Sequence, residues 1–163
     1  MSAPFRQFIF RSPEQTARFA ARLAPVLCAG DVLLLEGQIG NGKTHFVRAL
    51  IQARLANDGA PAEDVPSPTF TLVQTYDTGR IEIWHADLYR LTHPNEVEEL
   101  GLAEAFTEAA CLVEWPDRLG DLAPADALVL SFVPGDEADT RCVTARSDDP
   151  AWAARLGALA DVR

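Results

Sequence analysis

The sequence has few cysteines and no long hydrophobic run, and each shortage excludes a class of protein. The three cysteines, Cys28, Cys111 and Cys142, form no C-x-x-C pair, so we expect small buried thiols and no disulfide framework or zinc site. No apolar run approaches the ~18 residues that a membrane span needs. The start of the chain has no long apolar stretch followed by a small-residue cleavage site, as a secretion signal would. These absences predict a cytoplasmic protein that does not enter a membrane.

Basic residues are also scarce. The chain carries 14 Lys and Arg against 24 Asp and Glu, for a net charge of −10. Binding to a phosphate backbone needs clustered Lys and Arg, so we expect any contact with RNA to be indirect, through a partner protein. A composition of 48% hydrophobic and 23% charged residues is typical of a globular domain, and 163 residues favour a single domain over residues 1–163.

The hydrophobic pattern switches repeatedly between strand-like and helix-like spacing. Strand-like segments lie at 31–36, 70–76, 81–85, 110–115, 128–133 and 141–145. Helix-like segments lie at 13–29, 43–55, 92–100, 102–109 and 151–160. Ser12 is a plausible N-cap of the first helix, and Gly30 can end it with a positive φ. The order predicts an α/β sandwich with a mixed central sheet flanked by helices.

Residues 37–44 read GQIGNGKT and match the P-loop pattern G-x-x-x-x-G-K-[ST] at every fixed position. The predicted strand before them and helix after them are the context that this motif requires. Its glycines let backbone N–H groups point at phosphate oxygens, Lys43 brings a positive charge, and Thr44 offers a hydroxyl to Mg²⁺. The helix adds its positive N-terminal end. The motif predicts a P-loop NTPase that binds ATP and Mg²⁺, most simply to hydrolyse the ATP.

A P-loop needs a further carboxylate, for the Mg²⁺ shell or the attacking water. Glu114 and Asp87 each end an apolar strand, and the residue pattern favours Glu114 but leaves both open. Thr69 lies in a loop after the P-loop helix, where a threonine can sense the γ-phosphate as GTPase switch loops do. By itself, the pattern around Thr69 equally fits an ordinary junction between a loop and a strand.

Four segments together resemble the bacterial TsaE family, the ATPases of tRNA threonylcarbamoyladenosine biosynthesis. They are residues 37–44, the string SPTFTLV at 67–73, HADLYRL at 85–91 and LVEWP at 112–116. The resemblance covers about residues 12–145. It implies an ATPase subunit that acts with TsaB and TsaD when a threonylcarbamoyl group is placed on an adenosine of tRNA, without itself performing the transfer.

The resemblance also implies roles for individual residues. Thr44 and Glu114 would hold Mg²⁺, and Asp87 would act in hydrolysis with Lys43 and Glu114. The expected nucleotide-binding residues are Gly37, Gly40, Asn41, Gly42, Lys43, Thr44, His45, Thr69 and Trp115. The sequence departs from the family at His45, where a threonine is usual. A hydroxyl contact to the α-phosphate is therefore not expected from this position, and its backbone N–H remains. Thr16 is a candidate adenine contact.

Three other functions fit a small P-loop protein. A small-molecule kinase usually has an arginine-rich lid, whereas the arginines here are scattered. A regulatory GTPase usually has an Asn-Lys-x-Asp loop, which this sequence lacks, although residues 117–120 fit D-x-x-G. A nucleotide-gated binding module, whose output is the conformation of residues 67–71, stays open beside the ATPase.

Overall fold

A computed structural model describes residues 3–93 and 95–159, and a seven-stranded mixed sheet runs through it in the order β1-β7-β6-β2-β5-β4-β3. The strands are β1 (Arg6–Phe10), β2 (Val32–Glu36), β3 (Val73–Asp77), β4 (Glu82–Asp87), β5 (Ala110–Glu114), β6 (Leu128–Pro134) and β7 (Arg141–Arg146). The four central strands, β6, β2, β5 and β4, are parallel, and the outer pairs are antiparallel. The mixed α/β architecture predicted from the sequence is confirmed.

Helices cover both faces of the sheet. They are α1 (Pro13–Leu23), α2 (Lys43–Asn57), α3 (Asn95–Glu99), α4 (Leu102–Glu108) and α5 (Pro150–Gly157), with 3₁₀ turns at Ala24–Val26 and Pro116–Leu122. Side chains of α1, α2 and α5 join one hydrophobic cluster, and those of α3 and α4 join another on the opposite face. Because β2 and β5 lie between the two clusters, their side chains are buried on both faces, as continuous apolar strands should be.

The first helix ends earlier than predicted. It stops at Leu23, and a 3₁₀ turn follows, because Pro25 has no backbone N–H to continue the α-helical hydrogen bonds. Gly30 does adopt a positive φ of 91°, but in the turn before β2 and not as a helix cap. Ser12 is the N-cap as predicted, since its side chain accepts a hydrogen bond from the Gln15 N–H.

Two further expectations need correction, and one strand was not predicted at all. Strand β1 went unpredicted, although its alternating burial is typical of an edge strand. The strand expected from residue 70 begins at Val73, because Leu72 adopts a φ of 69° that no regular strand allows. Of the cysteines, only Cys111 is buried, whereas Cys28 is exposed.

The remaining boundaries agree within a few residues. The helix expected from Thr92 begins at Asn95, next to Pro94, which lies outside the described residues. The last helix ends at Gly157, and its expected end at residue 160 also lies outside the described residues. Within the described part of the chain, no helix has both the length and the apolar character needed to cross a membrane.

Candidate nucleotide-binding site

The parallel strands place the predicted site residues at one edge of the sheet. Strands β2, β5 and β4 are neighbours and run in the same direction, so their carboxyl ends meet. The P-loop follows β2, and the register of β4 with β5 pairs Asp87 with Glu114. Ligands of open α/β sheets bind outside the carboxyl ends of the strands, and the predicted P-loop and acids occupy that position here.

Backbone shape explains the glycines of the loop. Gly37 has a φ of 141°, and a Cβ atom there would lie 2.5 Å from the Phe132 carbonyl oxygen, so no larger residue fits. Gly42, with a φ of 95°, turns the chain directly into α2, which begins at Lys43. The first turn of α2 therefore opens onto the space beyond the sheet, where its free N–H groups can bind an anion.

A cavity of about 520 Å³ lies at this edge of the sheet. Its lining is Ile39, Gly40, Gly42, Lys43, Thr44, His45, Ser67, Thr69, Asp87, Tyr89, Arg90, Glu114 and Trp115. Nine of the predicted site residues are in this set. The other two, Gly37 and Asn41, belong to the P-loop but do not line the cavity. The structure thus brings together residues from four separate segments of the chain.

Glu114 is the centre of a buried polar chain. Its Oε1 accepts a hydrogen bond of 2.8 Å from the Thr44 hydroxyl, and its Oε2 lies 2.6 Å from Nε2 of His85. Glu114 is 2% exposed and His85 is 0% exposed. His85 was not singled out from the sequence, although it lies two residues before Asp87 and so must face the same side of the strand.

Asp87 joins the sheet edge to the loop at residues 67–72. Its Oδ1 accepts a hydrogen bond of 3.1 Å from the Tyr89 N–H, and its Oδ2 accepts one of 3.4 Å from the Ser67 hydroxyl. The hydroxyls of Ser67 and Thr69 are in turn 2.8 Å apart. Ser67 is a second residue that sequence reasoning left without a role. These contacts link the predicted switch threonine to the predicted hydrolytic acid through a single side chain.

Lys43 is the only lysine of the chain, and its side chain is largely buried. Its ammonium group donates a hydrogen bond to the Gly37 carbonyl and lies 3.8 Å from the centroid of the Trp115 ring. Burial lowers the pKa of Lys43, and the nearby carboxylates of Glu114, Asp87 and Asp117 oppose that shift. Trp115 reaches this position because its left-handed backbone, with a φ of 60°, turns the chain sharply after β5.

The oxygen donors at the cavity floor fit magnesium. The Thr44 hydroxyl and the Glu114 carboxylate converge there, and Asp87 is their neighbour in register. Residues 3–93 and 95–159 contain no group of three or more His, Cys, Asp or Glu side chains that could hold a metal by themselves. Mg²⁺ in nucleotide sites binds through one or two protein oxygens, with water and phosphate oxygens completing its shell. The donor set therefore suits a cation that arrives with a nucleotide.

A smaller cavity of about 100 Å³ adjoins the P-loop and shares Gly40, Gly42 and His45 with the first. Thr16, the candidate adenine contact, lines it together with His45 and Arg141. Nε2 of His45 lies 2.9 Å from the Pro13 carbonyl oxygen, so the imidazole is held against the start of α1. That the backbone N–H of His45 serves the α-phosphate stays a prediction.

Comparisons with known proteins agree with this geometry. A model of the family described as threonylcarbamoyl adenosine biosynthesis protein TsaE matches residues 10–143. The tRNA threonylcarbamoyladenosine biosynthesis protein TsaE of Rickettsia bellii is 38% identical over 126 residues, which is 77% of this chain and 85% of that protein. The protein of the same name from Bacillus subtilis is 36% identical over 122 residues, or 72% of this chain and 70% of its own length.

A solved structure shows a similar fold. The crystal structure of YdiB from Bacillus subtilis superposes with a TM-score of 0.77 at 26% sequence identity. The superposition covers 98% of this chain and 96% of that one. The similarity therefore extends over the whole sheet and its helices.

Proposed function

The chain belongs to the threonylcarbamoyl adenosine biosynthesis protein TsaE family, and from that premise we propose that it binds Mg²⁺ and ATP in the 520 Å³ cavity and hydrolyses the ATP. The observation that carries the proposal is the 2.8 Å contact between the Thr44 hydroxyl and the Glu114 carboxylate beside a complete P-loop. The single sheet, with a core on each face, supports one domain over residues 1–163.

Phosphoryl transfer is catalysed mainly by positioning and by neutralising charge on the phosphates. The P-loop N–H groups and Lys43 would bind the phosphates, and Thr44 and Glu114 would hold Mg²⁺. Bound there, Mg²⁺ supplies positive charge to the phosphate oxygens. Glu114 contacts Thr44, which the proposal places at Mg²⁺, whereas Asp87 contacts Ser67 beside Thr69. Asp87 is therefore the carboxylate that would orient the attacking water.

The relatives' names connect this ATPase to threonylcarbamoyladenosine formation in tRNA. TsaB and TsaD are the partners that family membership implies, with TsaD performing the transfer. A net charge of −10 supports indirect contact with tRNA, through those partners. The cytoplasm, which contains both tRNA and ATP, is the compartment that this role requires.

One observation also supports a nucleotide-gated binding role. Phe70 is 83% exposed and lies in the loop that carries Thr69. This loop contacts Asp87 through the Ser67 hydroxyl. An ordered loop that presents an exposed aromatic side chain can report the state of the nucleotide to a partner. This role would accompany hydrolysis and does not require a different site.

The test is ATP hydrolysis by the full chain with and without Mg²⁺, alone and with TsaB and TsaD. We expect a slow rate that requires Mg²⁺ and rises with the partners. Lys43→Ala and Glu114→Gln should each lower kcat by about 100-fold or more, the usual cost of losing one electrostatic contact to the transition state. Glu36→Gln is the matched control, since Glu36 also ends a central strand but pairs with Arg146 and does not line the cavity.

The possible results separate the functions considered for the site. Hydrolysis by Glu114→Gln at the wild-type rate would contradict the metal assignment. Transfer of phosphate to a small acceptor would indicate a kinase, and preference for GTP in competition with ATP would indicate a GTPase. Tight ATP binding without turnover, even with TsaB and TsaD present, would leave only the binding module.

A further inference from the structure

His85 is the one member of the buried polar chain to which the P-loop mechanism gives no role. It lies on β4, is 0% exposed, and reaches Glu114 on the neighbouring strand at 2.6 Å. The register explains the contact, because His85 pairs with Leu112, two residues before Glu114, and all three side chains face the same side of the sheet. The partner of its imidazole is therefore a residue that the proposed function places at the metal.

The contact constrains the orientation of the Glu114 carboxylate. A carboxylate only accepts hydrogen bonds, so Nε2 of His85 is the protonated nitrogen and donates to Oε2. With Oε2 held on one side, Oε1 is directed to the Thr44 hydroxyl on the other. Without His85, Oε2 of Glu114 would be buried with no hydrogen-bond donor. That cost would favour rotation of the Glu114 side chain toward a different donor.

The second ring nitrogen of His85, Nδ1, indicates that packing alone does not explain a histidine at this position. Nδ1 is buried and has no hydrogen-bond partner within residues 3–93 and 95–159. Buried polar atoms without partners are rare in native proteins because they destabilise the fold. An apolar side chain of similar size would fill the space without that penalty, so the imidazole must contribute through its contact with Glu114.

We propose that His85 is a positioning residue that holds the Glu114 carboxylate in the orientation that, with Thr44, receives the divalent cation. The proposal rests on the function proposed above and adds a residue to it. Residues that hydrogen-bond to a metal ligand orient it, and their loss typically weakens metal binding by about 10- to 100-fold.

The experiment measures Mn²⁺ binding to the ADP complex of the full chain by electron paramagnetic resonance and calorimetry. His85→Gln keeps an N–H donor near the Nε2 position, whereas His85→Asn is too short and His85→Leu has no donor. We expect the Asn and Leu variants to bind Mn²⁺ about 10- to 100-fold more weakly, with metal-free ADP affinity unchanged. The Gln variant should recover most of the Mn²⁺ affinity.

A control separates this effect from general loosening of the strand. Ile83 is buried on the same face of β4, two residues before His85, so Ile83→Val perturbs the packing without touching Glu114. Wild-type Mn²⁺ affinity in the Asn or Leu variant would overturn the proposal. An equal loss of Mn²⁺ affinity in Ile83→Val would also overturn it, because packing would then account for the effect. The proposal would fail as well if His85→Gln folds while His85→Asn and His85→Leu do not, because the contact would then serve folding. Wild-type protein that binds no Mn²⁺ with ADP would instead refute the proposed function itself.

Discussion

The floor of the site differs sharply from its rim. The floor consists of Thr44 and Glu114, which line the cavity, and of His85, which is fully buried behind them. The rim consists of Ile39 and Tyr89, which line the cavity, and of Phe70, which follows the lining residue Thr69. Glu114 is 2% exposed at the floor, whereas Ile39 is 69% and Phe70 83% exposed at the rim. The floor residues come from α2, β4 and β5 and are joined by short polar contacts. The side-chain contacts at the rim involve aromatic rings: Arg90 lies over Phe70 at 4.6 Å, and the rings of Tyr89 and Trp115 are 4.9 Å apart.

The difference in burial changes what a substitution costs in each region. A buried carboxylate that loses one hydrogen-bond partner destabilises the protein by about 1–3 kcal/mol, so the floor tolerates little change. A cation–π contact at an exposed site contributes about 0.5–1 kcal/mol, so the rim can rearrange at little cost. We therefore expect changes at the floor to affect turnover and changes at the rim to affect the response to partners.

Asp87 lies between the two regions, and its substitution should give the largest effect. Asp87→Asn keeps the shape of the side chain but removes the charge that would orient the attacking water. We expect kcat for ATP to fall by about 100-fold or more, as for other catalytic acids and bases, with ATP affinity kept. Steady-state hydrolysis and calorimetric ATP binding check this.

Asp117→Asn is the control for that experiment. Asp117 is an exposed carboxylate whose charge also acts on Lys43, but it does not line the cavity. If Asp87→Asn has the kcat of wild type, the role of orienting the attacking water would pass to Glu114. That result would also remove the functional link between the floor and the loop that carries Thr69.

Phe70 tests the rim. Phe70→Ala should change the free energy of unfolding by less than about 0.5 kcal/mol, because the side chain is 83% exposed. Basal hydrolysis should stay at the wild-type rate, while stimulation by TsaB and TsaD falls. Val133→Ala removes an exposed apolar side chain on β6, outside the loop that carries Thr69, and should leave the stimulation intact. If Phe70→Ala slows basal hydrolysis as much as Asp87→Asn, the separation of floor and rim is wrong.

The smallest expected effect concerns the protonation of Lys43. Labelling with ¹³C-lysine gives a single side-chain signal, because the chain has one lysine. Its NMR titration should give a pKa below 10.5, since burial disfavours the ammonium form. Between that lowered pKa and 10.5, Lys43 is protonated in the unfolded chain and deprotonated in the folded one, so the contribution of Lys43 to stability rises with pH.

Lys43→Met should lack this rise when urea denaturation is followed across the same pH range. Its stability relative to wild type is then greatest below the pKa of Lys43 in the folded protein and shrinks above it. A lysine signal that titrates at 10.5 or higher would contradict the buried contact with Trp115.

Local pattern was a good guide wherever neighbouring residues decide the structure. The strands β2 and β5 and the helix α2 were predicted closely, because continuous apolar runs and helical spacing are visible in the chain itself. The errors arose where one residue overrides the pattern, as Pro25 ends α1 and the positive φ of Leu72 delays β3. The edge strand β1 was missed because its pairing with β7, far along the chain, stabilises it.

The sequence by itself determined the P-loop and the candidate acids. Eight consecutive residues match the motif that predicts phosphate binding, and Asp87 and Glu114 each end a recognisable strand. Only the tertiary structure decided how these residues meet. The contacts of Glu114 with His85 and Thr44, and of Asp87 with Ser67, join residues 20 or more positions apart. Such contacts depend on strand register and on burial, because a shift of one residue would turn His85 and Glu114 to opposite faces of the sheet.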